Sequence, residues 1–313
     1  MDIYKTQVPI TTKSNWLLSI VVMVLVTFGV LILLQGLGLL LLPVLFEIPL
    51  DELAALFTGE SDHPKGRMAF LFVQGLGGGL GFLVAGILIA KLIDKADFGW
   101  QQQISRFKFI GFGLTLVVMF GSILFNSILI DWNAKIVLPE FLNELEQMMR
   151  SKEDELMKLT KYLTDFESVE EFLMGILVIG VLAGIGEEFL FRGVLQPKLQ
   201  LFTGNAHVAI WLSAFIFSAI HFQFYGFFPR MVLGAVFGYL YWYSGSLIYP
   251  VIGHILNNTF TVVLVYLNKL GQIDFNIEET DQVSLPLAIV GLIILVIGLR
   301  VFKQQSQKIE IDG

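Results

Sequence analysis

Two carboxylates, a guanidinium, two imidazoles and a carboxamide fall between residues 187 and 258, on segments that are otherwise strongly apolar. Residues 184–192 read Gly-Ile-Gly-Glu-Glu-Phe-Leu-Phe-Arg, inside a nearly uninterrupted apolar stretch from Leu173 to Leu201. A charge at a bilayer centre costs about 2.5–3.5 kcal/mol on insertion scales, so such residues face a protein interior or a wet cavity and mark function. On a helix, Glu188 and Arg192 share a face, while Glu187 is turned about 100° from Glu188. One carboxylate can therefore be paired while the other stays free to react. Phe217 and His221 are four apart on the next apolar segment, as are His254 and Asn258 on a later one, which aligns each pair along one face. The chemistry open to this set is proton transfer, ligation of a metal, or passage or binding of a polar guest.

A count of residues brings the first two segments together. Gly204, in Phe-Thr-Gly-Asn, is an expected turn, and Glu187 lies 17 residues before it and His221 17 after it. In an antiparallel helical hairpin the two then share a depth, because each residue rises about 1.5 Å. His254 lies only nine residues after Gly245, in the expected Ser-Gly-Ser turn. Either that turn sits deeper or one helix is short.

The elements that must position these groups are membrane helices. The chain of 313 residues is 55% hydrophobic and 15% charged, with 28 Phe and a mean hydropathy of +0.75, far from the composition of a soluble domain. A span needs about 20 apolar residues, and eight segments are expected to cross: 16–46, 68–93, 107–130, 172–202, 207–222, 229–244, 247–268 and 284–302. Their runs are continuous rather than alternating, so the expected fold is an all-α polytopic membrane bundle of about eight helices and not a barrel. The first run is too long for a removable signal sequence and no small-residue cleavage site follows it. The absence of cysteine excludes disulfides and thiolate chemistry. The net charge of −7 argues against a nucleic-acid partner.

Lys and Arg set the orientation. With the N-terminus inside, the inner segments hold Lys5, Lys13, Lys91, Lys95, Arg106, Lys108, Lys198, Arg300, Lys303 and Lys308, and the outer ones hold Lys65, Arg67, Arg230 and Lys269. Both termini are then expected in the cytoplasm, with the acidic stretches Glu47–Asp62 and Asp274–Asp281 outside. Residues 131–170 form an expected extramembrane amphipathic segment, with apolar residues at helical spacing from Leu138 to Phe166. It is read as a helix or hairpin docked on the bundle or headgroups, or as a lid. The run Gly75-Leu76-Gly77-Gly78-Gly79-Leu80-Gly81 lacks the strand that a nucleotide loop needs. The pairs Gly75/Gly79, Gly77/Gly81, Gly180/Gly184 and Gly234/Gly238 are instead read as close helix contacts. No repeat or linker divides the chain, so 1–313 is read as one membrane domain. His63, in a polar loop, and His207, at an expected span end, stand apart from the polar set and are read as ordinary.

The motifs Glu187-Glu188-x-x-x-Arg192, Phe217-x-x-x-His221 and His254-x-x-x-Asn258 resemble those of the CPBP family, the CAAX proteases and Abi or Rce1-like membrane enzymes. The resemblance covers about residues 170–265, which are read as the catalytic core. It implies an intramembrane glutamic endopeptidase in which Glu187 activates water with help from His221, while His254 and Asn258 stabilise the oxyanion. Arg192 and Phe217 are read as supporting residues, and Glu188 as belonging to either group. Amide hydrolysis requires such parts: a base near water and donors aimed at the oxygen that becomes negative.

Two alternatives stay open. Glu187, His221 and His254 could ligate Zn²⁺ with water in the fourth position, although no His-Glu-x-x-His motif is present; the metal-free reading, with no cofactor, is preferred. A non-catalytic immunity, scaffold or transport protein could also keep such a polar cluster. The expected partners are a peptide or protein substrate and the lipid bilayer, and the expected location is a prokaryotic plasma membrane.

Overall fold

The computed structural model describes residues 15–276 and 283–312, the side chains of 308–312 excepted. Lys5, Lys13, residues 277–281 of the acidic segment and the side chain of Lys308, all used in the orientation argument, lie outside the described residues. Among the described residues the regular structure is helical and contains no strand. This is the all-α membrane bundle that composition requires.

In chain order the helices are α1 (Trp16–Leu45), α2 (Leu53–Thr58), α3 (Gly66–Ile93), α4 (Trp100–Ser105), α5 (Phe109–Ala134), α6 (Asn143–Thr164), α7 (Val169–Thr203), α8 (Ala206–Ala219), α9 (Phe227–Ser244), α10 (Ile248–Lys269) and α11 (Leu285–Asp312). Six of them, α1, α3, α5, α7, α10 and α11, are long and apolar enough to cross a membrane. The expected count of eight is not reached by this measure. Helix α8 has 14 residues, about 21 Å at 1.5 Å per residue, against a hydrocarbon core of about 30 Å. Helix α9 has 18 residues but carries Arg230 and the polar rings of Tyr239, Tyr241, Trp242 and Tyr243. The two pack against each other, so each is sheltered by its neighbour.

Helix α1 is apolar around its whole circumference, and only 11% of its most apolar window is buried. Leu17, Leu25, Leu33 and Leu40 point out of the bundle, where lipid is the solvent that fits them.

The glycine pairs set the distances between the inner helices. Gly75 faces Val178 and Gly79 faces Leu182 across the α3–α7 contact, while Gly77 and Gly81 face Gln35 and Leu31 of α1. Gly180 and Gly184 face Thr259 and Ile255 of α10. At Gly186 a Cβ would fall on the carbonyl oxygen of Gly79, so α3 and α7 touch backbone to backbone one residue before Glu187. Wide π-helical turns at Ile176–Leu182 and Phe189–Leu195 flank the α-helical residues Ala183–Glu188. Such turns are frequent at functional sites.

The chain reverses where the turn chemistry indicates. Gly204 ends α7 with φ +71°, and Asn205 caps α8 by accepting from the backbone N–H groups of His207 and Val208. Gly245 ends α9 with φ +66°. This second turn is buried: Ser246 is fully enclosed, Gln103 accepts from the Leu247 N–H, and Arg106 donates to the Gly245 carbonyl. The Gly245 turn is thus enclosed by the protein, whereas Gly204 and Asn205 are exposed.

The amphipathic segment forms one helix, α6, rather than a hairpin. It is tied down by Lys158 to Glu60 at 2.5 Å, by Arg67 to the Tyr162 carbonyl at 2.7 Å, and by Arg150 over the ring of Tyr225. Three charges counted in the orientation argument are not free loop charges. Arg67 is buried against Glu171, Lys198 is buried with Asp94 and Ser19, and Arg230 belongs to α9.

Candidate active site

Burial decides which carboxylate is structural. Glu188 is fully enclosed, and its Oε1 accepts from Arg192 Nη1 at 2.7 Å and lies 2.8 Å from His254 Nδ1. Arg192 is equally enclosed; its Nη2 donates to the Gly234 carbonyl at 2.8 Å and its guanidinium lies 4.7 Å from the centre of the Phe217 ring. The i,i+4 spacing therefore makes an ion pair, and that pair holds an imidazole from α10. A Cβ on Gly234 would stand 3.1 Å from Arg192 Nη2, so the guanidinium reaches the α9 backbone because no side chain intervenes.

Glu187 faces another way. Its side chain is 15% exposed, and its Oε2 stands 3.9 Å from His254 Nε2, beyond direct hydrogen bonding. The distance leaves the carboxylate close to an imidazole without locking it there. The charge of Arg230 also acts on Glu187.

The hydrogen bonds fix what each imidazole can offer. His254 gives Nδ1–H to the Glu188 carboxylate, so Nε2 is a bare lone pair in the neutral ring and a donor only in the imidazolium. The ring is stacked on Phe237, with centroids 5.0 Å apart and 16° between planes. His221 gives Nδ1–H to the Phe217 carbonyl at 2.8 Å, which leaves Nε2 as an acceptor. Phe217 lies edge-on to both His221 and His254, with centroid distances of 5.2 and 5.9 Å. It separates the two rings and covers Arg192.

His221 is not on the body of α8, as the expected span 207–222 required. The helix ends at Ala219, and Phe222 follows with φ +54°. Neighbouring elements hold this loop in place. Asn133 donates to the Phe224 carbonyl and accepts from the Phe228 N–H, and Ser218 donates to the Phe227 carbonyl at 2.7 Å. Asn258 lies a turn beyond His254 on α10; it donates one N–H to the Ile179 carbonyl of α7 at 3.0 Å and accepts from Asn257. A carboxamide has a second N–H, which these bonds leave available.

The structure thus brings Glu187, Glu188, Arg192, Phe217, His221 and His254 into one cluster and ties Asn258 to the π-helical turn of α7. Sequence reasoning missed Phe237, the Gly234 carbonyl, and Arg230 with its partner Gln223. Nothing in an aromatic-rich helix distinguishes Phe237 from its neighbours, whereas Arg230 could have been noticed as a charge beside an apolar run. Among the described residues no group of three or more His, Asp or Glu is arranged to hold a metal ion.

The site lies within the part of the chain that resembles known proteins. The family model "Type II CAAX prenyl endopeptidase Rce1-like" matches residues 169–260, so the similarity takes in all three motifs. The uncharacterized protein YpbD of Bacillus subtilis (strain 168) is 29% identical over 85 residues, which are 26% of this chain and 40% of YpbD. No solved structure gives a significant match.

Proposed function

We propose that this integral membrane protein is an intramembrane endopeptidase that hydrolyses a peptide bond with Glu187 as the base. The observation that carries the reading is the division between the two carboxylates: Glu188 is enclosed and paired with Arg192 and His254, while Glu187 is partly exposed and 3.9 Å from His254. The Rce1-like match over 169–260 supports the class of reaction. Glu187 takes a proton from water as the water oxygen bonds to the scissile carbonyl carbon. His221 Nε2, bare because Nδ1–H is given to Phe217, accepts from the same water and orients it. Negative charge then develops on the carbonyl oxygen, where the second N–H of Asn258 and the Nε2–H of His254 are the available donors. His254 donates there when both of its ring nitrogens carry a proton, Nδ1–H being given to Glu188. Collapse breaks the C–N bond, and the proton held by Glu187 passes to the leaving nitrogen.

In this reading the chain is one membrane domain with 170–265 as its catalytic core, both termini lie in the cytoplasm of a prokaryote, and no cofactor is required. The test uses purified protein and a peptide library read by mass spectrometry. New termini that form with the native chain and vanish with Glu187→Gln support the peptidase. Peptides that bind and remain intact support a binding or immunity role. Cleavage that depends on stoichiometric zinc would replace the metal-free route.

A further inference from the structure

Glu153 of the extramembrane α6 and Arg230 in the first turn of α9 each act on the other's charge, and Gln223 stands between them. Its Nε2 donates to Glu153 Oε1 at 3.3 Å, and its Oε1 accepts from Arg230 Nη2 at 2.7 Å. A carboxamide makes both bonds at once because it carries a donor and an acceptor. The ion pair is thus closed through a residue of the 220–228 loop rather than directly. Arg150 and Glu146 continue the same face of α6 at helical spacing. Arg150 lies 4.4 Å from the centre of the Tyr225 ring, held there by Glu146 at 2.7 Å. One side of α6 therefore grips the loop at Gln223 and at Tyr225. Helix α6 lies outside the stretch 169–260 that matches the family model.

Gln223 follows His221 by two residues, and the residue between them is the one that most needs outside support. Phe222 has φ +54°, which a bulky side chain rarely adopts, and its ring is 77% exposed, so its own packing does little to hold the turn. The geometry must be imposed from both sides. On the near side is the last turn of α8, where the Phe217 carbonyl takes the Nδ1–H of His221 at 2.8 Å. On the far side is Gln223, held by a carboxylate and a guanidinium. Resting on the peptidase reading, we propose that Glu153 is a positioning residue for His221: through Gln223, with Arg230 as the second anchor, it sets the loop so that the bare Nε2 meets the water activated by Glu187. Helix α6 is then a brace on the reacting groups rather than a lid over them.

The test is a double-mutant cycle on the full chain, Glu153→Ala, Gln223→Ala and the two together, with thermal unfolding in detergent to show that each protein is folded. Each single change is expected to lower kcat roughly tenfold to a hundredfold, as for a small misplacement of a reacting group, with KM little changed. The double variant should be no worse than the worse single one, because the two residues act through one contact. Glu153→Gln, whose amide oxygen can still accept from Gln223, should restore most of the kcat lost in Glu153→Ala. The ring of His221 is read directly: the chain has four histidines, so imidazole ¹⁵N signals can be assigned by substitution. The His221 signal should move in Glu153→Ala and return toward its native position in Glu153→Gln. Native kcat and a native His221 signal in Glu153→Ala overturn the proposal. Additive losses in the cycle do so as well, as does a rise in KM alone, which is what loss of a lid or docking surface would give. Should Glu153→Ala fail to fold, Gln223→Ala, which leaves α6 itself intact, carries the same kinetic and spectroscopic expectations. Absence of any cleavage by the native chain would sink the peptidase reading, whereas the His221 signal needs no turnover and decides separately whether Glu153 sets the ring.

Discussion

Removing one member of the Glu188–Arg192 pair should harm folding more than removing both. Each side chain is fully enclosed, and the two are joined at 2.7 Å. Arg192→Met leaves Glu188 with the imidazole of His254 but no cation joined to it, and Glu188→Leu leaves Arg192 hydrogen-bonded to the Gly234 carbonyl among three aromatic faces, with no carboxylate joined to it. A buried ion stripped of its partner costs about 3–5 kcal/mol, whereas replacing a whole pair by apolar groups of similar volume is often neutral or stabilising. With each kcal/mol worth about 2–4 °C in a sizeable domain, the single variants should melt of order 10 °C below the native protein. The double variant Glu188→Leu/Arg192→Met should recover most of that loss. Activity separates the two roles of Glu188. The double variant should fold yet remain inactive, because His254 Nδ1 has lost the acceptor that fixes its ring. The assay is thermal unfolding in detergent, followed by peptide turnover on the same preparations. A double variant as unstable as either single one would refute the pairing argument, and a stable, fully active one would refute the orienting role.

Four other outcomes follow from the geometry. Asn258→Ala should lower kcat about 10²–10³-fold, as for loss of one oxyanion donor, with binding of uncleaved peptide retained in anisotropy. Gly186→Ala should prevent recovery of a monodisperse protein, because the new methyl meets the Gly79 carbonyl and forces α3 from α7; normal gel-filtration behaviour would contradict that contact. Burial raises the carboxyl of Glu153, on the extramembrane α6, above the ordinary glutamate range. A raised acid favours the fold in its neutral form, so stability falls as pH climbs from the unfolded value through the folded one, and Glu153→Gln should flatten that fall. Equal pH dependence of melting in the two proteins would remove the effect. Asn133→Leu should loosen the 220–228 loop that carries His221, raising KM and lowering kcat together, whereas unchanged kinetics would show that the loop is held by other means.

Much of this arrangement was legible because membrane burial makes charge conspicuous. The Glu188–Arg192 pairing follows from spacing alone, and the turns at Gly204 and Gly245 follow from residues that tolerate a left-handed backbone. What spacing could not give was depth and end-point. Helix α8 stops before His221, because the loop is drawn down by Asn133 and Ser218 rather than continued as helix. The turn at Gly245 is buried in the protein, and Gln103 and Arg106, well over a hundred residues earlier, satisfy its backbone. Such long-range hydrogen bonds leave no local pattern. The same limit explains Arg230, which counts as an outer loop charge in sequence and becomes a neighbour of Glu187 and His221 only when α9 folds over α8.

The two carboxylates of the site answer different requirements, and the difference says where reaction can occur. Glu188 and Arg192 neutralise each other at 2.7 Å with no exposed surface, and Glu188 also holds the His254 Nδ1 at 2.8 Å. Glu187 keeps part of its surface exposed and stands 3.9 Å from the other nitrogen of the same imidazole. The enclosed pair supplies the rigidity against which Glu187 can react, because it fixes the His254 ring beside the freer carboxylate. That asymmetry is why mutation of Glu188 should be felt first in folding and mutation of Glu187 first in turnover.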